Sequence, residues 1–69
     1  MSRVGTVIRK TREEQRLSRT DLEALSGVSA ETIYEVETGR VNPRVDTLYM
    51  IANGLGVPLH DLMKRGEDV

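Results

Sequence analysis

Cysteine, tryptophan and phenylalanine are absent from these 69 residues, and histidine occurs once, as His60. Without cysteine there is no disulfide and no thiolate metal site. A lone histidine leaves neither a histidine-built metal centre nor a His-based triad, so no metal and no cofactor are implied. No apolar run approaches the roughly 18 residues of a membrane span, and no signal-peptide-like stretch opens the chain. A soluble, cytoplasmic protein is expected. A phosphate-cradling glycine loop and a nucleophile elbow are also missing, and the carboxylates are scattered, so the sequence does not read as an enzyme.

What is present is short and aliphatic. Hydrophobic residues make up 38% and charged residues 30%, too apolar for a disordered chain, and the only aromatic residues are Tyr34 and Tyr49. A domain this small buries about 60% of its unfolded surface, so its stability margin is thin and oligomerisation is the support left open to it. The net charge of −1 hides an uneven distribution. Residues 1–20 carry Arg3, Arg9, Lys10, Arg12, Arg16 and Arg19 against Glu13 and Glu14, a balance of +4. Residues 21–37 carry Asp21, Glu23, Glu31, Glu35 and Glu37 unopposed, a balance of −5. One end is basic; the molecule as a whole is not.

Punctuation divides the chain into five helical pieces, with no strand alternation, so an all-α domain over residues 1–69 is expected. Val4, Val7, Ile8 and Thr11 share a face of a first helix over residues 3–15. Ser18 and Asp21 form an approximate capping box for a second helix that turns Leu22 and Leu25 inward and stops at Ser26-Gly27. Ser29 caps a third, with Ile33, Val36 and Glu37 on one side and Gly39 at its end. A fourth runs from near Arg44 to Asn53 with Leu48, Ile51, Ala52 and Leu55 at core spacing, terminated by Gly54 and Gly56. Pro58 suits the first turn of a fifth, carrying Leu59, Leu62 and Met63. Residues 64–69 read as a frayed polar tail, and Met1 with that tail as the ends of a whole gene product.

Only Ser26-Gly27-Val28-Ser29 separates the second and third helices, and a short glycine-containing turn between two short helices is the mark of a helix-turn-helix. The residues resemble a known family at several spaced points. Leu17-Ser18-Arg19-Thr20-Asp21-Leu22, Ser26-Gly27-Val28-Ser29, Thr32-Ile33, Glu37-Thr38-Gly39-Arg40 and Asn42-Pro43 look like the Cro/C1-type, or xenobiotic-response-element, DNA-binding domains. The likeness continues through Thr47-Leu48, Ile51-Ala52, Leu55-Gly56-Val57, Leu59 and Leu62, covering residues 4–63.

This resemblance implies a five-helix, lambda-repressor-like fold and a sequence-specific regulator that binds double-stranded DNA as a homodimer, most plainly a repressor on a palindromic operator, associated with the nucleoid. Ala30, Glu31, Tyr34 and Glu35 would face the bases; Arg19, Ser29, Arg40, Asn42 and Arg44 would hold phosphates. Arg12 and Glu37 would form a structural ion pair, and Leu59, Leu62 and Met63 a dimer interface. Four positions depart from the family pattern, one of them Arg19, which replaces the usual glutamine and keeps or strengthens phosphate affinity. Glu31 and Glu35 put carboxylates where basic or amide side chains are frequent, and Glu23 stands where a small buried alanine is common. A carboxylate at a base edge most naturally accepts from cytosine N4. The competing reading is a helix-turn-helix-shaped interaction module, antitoxin-like or anti-repressor, whose acidic third helix binds a protein partner. Taken singly, the residues have plainer uses: Tyr34 as a rim packing residue, His60 as a solvated one, Met50 and Met63 as packing.

Overall fold

The computed structural model describes residues 4–68, with side chains through Arg65. It consists of α1 (Val4–Glu14), α2 (Arg19–Ser26), α3 (Ala30–Glu37), α4 (Val45–Leu55) and α5 (Leu59–Asp68). Residue 3, where the first helix was expected to begin, and residue 69 of the tail lie outside the described residues. Local chemistry accounts for most of the boundaries. The Ser18 hydroxyl accepts from the Asp21 N–H at 2.9 Å while the Asp21 carboxylate accepts from the Ser18 N–H at 2.9 Å, a reciprocal cap at the start of α2. These bonds, that to the Ser18 backbone first, hold the Asp21 carboxyl below the usual carboxylate range. Ser29 caps α3 in the same way through the Thr32 N–H, at 3.1 Å.

The buried stripes of the helices meet in one core: Val4, Val7 and Ile8 from α1, Leu22 from α2, Ile33 and Val36 from α3, Leu48, Ile51, Ala52 and Leu55 from α4, and Leu62 from α5, with Val28 from the turn. Val4, Val7, Ile8 and Thr11 are all buried, as their spacing predicts. Among the described residues no buried side-chain polar atom lacks a hydrogen-bond partner. The Gln15 amide, just past α1, donates to the Leu55 carbonyl at 2.7 Å and so satisfies the end of α4.

Six expectations are corrected here. Leu25 is 59% exposed and does not point inward. The inner line of α2 runs instead through Leu22 and Ser26, because α4 crosses close against Ser26. Gly54 makes that crossing feasible and terminates nothing: it lies within α4, and a Cβ there would come within 2.7 Å of Ser26 Cβ. The helix ends two residues beyond Asn53, at Leu55, with Gly56 taking the left-handed conformation (φ 72°). Leu62 is fully buried, so it belongs to the core and cannot form an exposed dimer seam. Residues 64–68 continue α5, which packs along α1; the Arg65 guanidinium reaches Thr11 Oγ1 at 3.4 Å. Met50, expected as a packing residue, is 40% exposed.

Candidate nucleic-acid interface

The turn from α2 to α3 is set by Gly27 (φ 80°), whose N–H donates to the Glu23 carbonyl at 2.9 Å, and by Val28, which is buried beneath it. A left-handed residue reverses the chain at little cost when it is glycine. The reversal lays α3 across the molecule with Ile33, Val36 and Glu37 inward. Its other side carries Ala30, Glu31, Tyr34 and Glu35, of which Glu31 and Tyr34 are exposed and Ala30 and Glu35 half-buried. The four positions named from sequence as base-facing therefore share one outward face. Neither Glu31 nor Glu35 is paired with a basic side chain within 4.0 Å among the described residues.

Basic groups from two elements stand beside this face. Arg19 opens α2. Arg40, Asn42 and Arg44 lie on the exposed connection from α3 to α4. That connection begins in a tight motif: Gly39 (φ 73°) donates to the Val36 carbonyl and Arg40 to the Glu35 carbonyl, at 3.2 and 2.9 Å. Arg44 occupies the cap position of α4 without a side-chain capping bond, and its Nε lies 3.4 Å from Asp46 Oδ1 in full solvent. The first turn of α4 has no serine cap; there the Asp46 carboxylate accepts from the Thr47 N–H at 2.8 Å. Ser29 is already engaged: its hydroxyl donates to Thr32 Oγ1 at 2.9 Å and accepts from the Thr32 N–H.

Arg12 and Glu37 meet beneath the face. Arg12 Nε and Nη2 donate to the two Glu37 oxygens at 2.8 and 3.1 Å, and Nη1 donates to the Leu17 carbonyl at 2.7 Å. The Glu37 hydrogen bond raises the Arg12 pKa, against the opposing effect of burial. Spacing did not disclose that Glu37 is shared: Arg19 Nε also donates to Oε1, at 3.0 Å. Nor did it disclose a role for Glu23, whose carboxylate accepts from the Ala30 N–H at 3.3 Å across the turn. Glu23 is exposed, so the family's small buried residue has no counterpart here. The signal available was an acid seven residues before a helix start, and only the turn geometry makes that a contact.

A family model described as helix-turn-helix matches residues 8–62, spanning both helices of the turn and the core around them. The chain belongs to the Cro/C1-type helix-turn-helix family. Among members of this family, it is 43% identical over 54 residues to the HTH-type transcriptional regulator y4dJ of Sinorhizobium fredii, covering 78% of this chain and 70% of that protein. It is 32% identical over 60 residues to the HTH-type transcriptional regulator DdrOP3 of Deinococcus deserti, covering 87% of this chain but only 46% of that protein. Among solved structures, the restriction-modification controller protein C.AhdI from Aeromonas hydrophila superposes with a TM-score of 0.83 at 26% identity, covering 88% of this chain and 92% of that one. The Cro/C1-type chain is thus a helix-turn-helix transcriptional regulator with the expected five helices. Among its described residues, no helix is long and apolar enough to cross a membrane.

Proposed function

We propose that this regulator binds double-stranded DNA sequence-specifically as a homodimer and acts as a repressor by occupying a palindromic operator. The observation that carries the reading is the outward face of α3, with Arg19 and Arg40 converging on its Tyr34 and Asn42 and Arg44 following on the exposed connection to α4. In this arrangement the arginines grip the phosphates, while Ala30, Glu31 and Glu35 enter the major groove. Two copies would set their α3 helices about 34 Å apart, one turn of the duplex. Regulation by occupancy fits the restriction-modification controllers that this fold resembles.

Leu59 and Met63 remain available for the dimer face after Leu62 is removed from it. They line an open groove of about 940 Å³ between α4 and α5, together with Tyr49, Asn53 and His60. Tyr49 and Met63 are 57% and 45% exposed, an apolar patch that a second copy would cover.

Selection of random duplexes by the purified protein at about 0.1 M salt, where nonspecific attraction is already partly screened, tests the reading. Enrichment of an inverted repeat is expected, with binding that weakens steeply as salt rises. No enrichment by folded protein would refute it and favour a protein partner for the acidic α3.

A further inference from the structure

Tyr34 sits on the α3 face, 40% exposed, yet two cations from different elements converge on its ring. The Arg19 guanidinium carbon lies 5.0 Å from the ring centre, and that of Arg40 lies 5.6 Å from it. Both fall within the range in which the negative face of an aromatic ring attracts a guanidinium.

The two arginines reach it from fixed starting points. Arg19 is tied by Nε to Glu37, whose side chain has no solvent exposure and is itself gripped by Arg12. Arg40 begins at the backbone bond to the Glu35 carbonyl that closes α3. Arg12 and Arg19 share a single carboxylate, which leaves one positive charge in excess. Arg40 adds a second and has no carboxylate partner within 4.0 Å among the described residues. Two like charges near one ring repel each other, and without the ring the long, exposed Arg40 side chain would sample many rotamers. Tyr34 offsets the repulsion and holds both guanidiniums on the same edge of the interface, Arg19 with its Nη groups uncommitted.

We infer that Tyr34 is a positioning residue, not a base reader: its ring orders Arg19 and Arg40 into one two-arginine clamp for a single stretch of phosphate backbone. The inference rests on the proposed DNA binding and assigns Tyr34 a different part in it from the one the family resemblance implies. A base reader acts at one operator position, whereas a positioning residue acts on every duplex alike.

The test compares wild type, Tyr34→Ala and Tyr34→Phe on the selected operator, on its single-base variants and on unrelated duplex, with thermal melts as a control for folding. Tyr34→Ala should weaken binding to all duplexes equally, about fivefold or more, from the loss of two exposed cation–π contacts. Its base preferences should stay unchanged, and Tyr34→Phe should bind as wild type does. In the free protein, the Cδ protons of Arg19 and Arg40 should show ring-current shifts in wild type and Tyr34→Phe but not in Tyr34→Ala. A loss confined to one operator position, an equal loss in Tyr34→Phe, or an unaffected Tyr34→Ala would each overturn the positioning role. Wild type that binds no duplex at all would instead remove the DNA-binding reading, and this one with it.

Discussion

Glu37 accepts hydrogen bonds from Arg12 and Arg19 at once, with its side chain wholly withdrawn from water. Its burial decides its energetics. An exposed pair contributes at most about 1 kcal/mol, whereas breaking a buried one leaves a desolvated charge uncompensated, at about 3–5 kcal/mol. Glu37→Ala should therefore lose about 3–5 kcal/mol in urea denaturation, much of what a small domain possesses. A loss below 1 kcal/mol would mean that Arg12 finds water in the variant. Glu31 poses the opposite question, being exposed and unpaired. If it reads cytosine, Glu31→Gln should change the preference at one base position by about 1–3 kcal/mol in competition binding. Uniformly tighter binding to every duplex would show that the carboxylate only repels phosphate. The Arg12–Glu37 pairing was legible through family resemblance; that Arg19 joins it was not, because Arg19 and Glu37 lie 18 residues apart and meet only when α2 and α3 cross.

At the scale of elements, helix starts were legible and helix faces only partly so. Ser18 with Asp21, and Ser29 with Thr32, make caps over three residues, within reach of local chemistry. Leu25 and Gly54 were misread for one shared reason. The close crossing of α2 and α4 at Ser26 and Gly54 chooses which side of α2 is buried, and nothing in the eight residues of α2 encodes it. This crossing can be tested with Gly54→Ala. In a helix interior alanine is favoured over glycine by about 1 kcal/mol, while a Cβ placed 2.7 Å from Ser26 Cβ forces the helices apart. Overpacking costs typically 1–3 kcal/mol, so the clash should prevail with a net loss of up to about 2 kcal/mol by thermal or urea melt. A stabilised variant would show that α4 can shift freely along α2. The turn after α1 passes through Arg16 in the left-handed region (φ 59°), a conformation most often held by glycine, and the sequence carried no sign of it.

For the whole molecule, the question is how so small a core suffices. The described fold measures 27 × 22 × 20 Å and draws on all five helices for one cluster. The groove between α4 and α5 leaves Tyr49 and Met63 partly in water, and covering it with a second copy would add apolar burial. Sedimentation at micromolar concentration should detect a dimer that Met63→Asp converts to monomer, with operator affinity falling alongside. Monomer both free and on DNA would remove the dimer from the proposal.

The sequence by itself determined the all-α class, the order of the helices, the caps at Ser18 and Ser29, and most of the aliphatic core, because each depends on residues within one or two turns of one another. Its resemblance to the Cro/C1-type family also grouped Ala30, Glu31, Tyr34 and Glu35, which share one outward face of α3. Tertiary structure decided the rest. Leu62 went to the core, Leu25 to solvent and Gly54 into a helix crossing, and Arg19 and Arg40 converged on one ring. Each outcome depends on the distance between helices remote in sequence, which is settled when their side chains pack and not before.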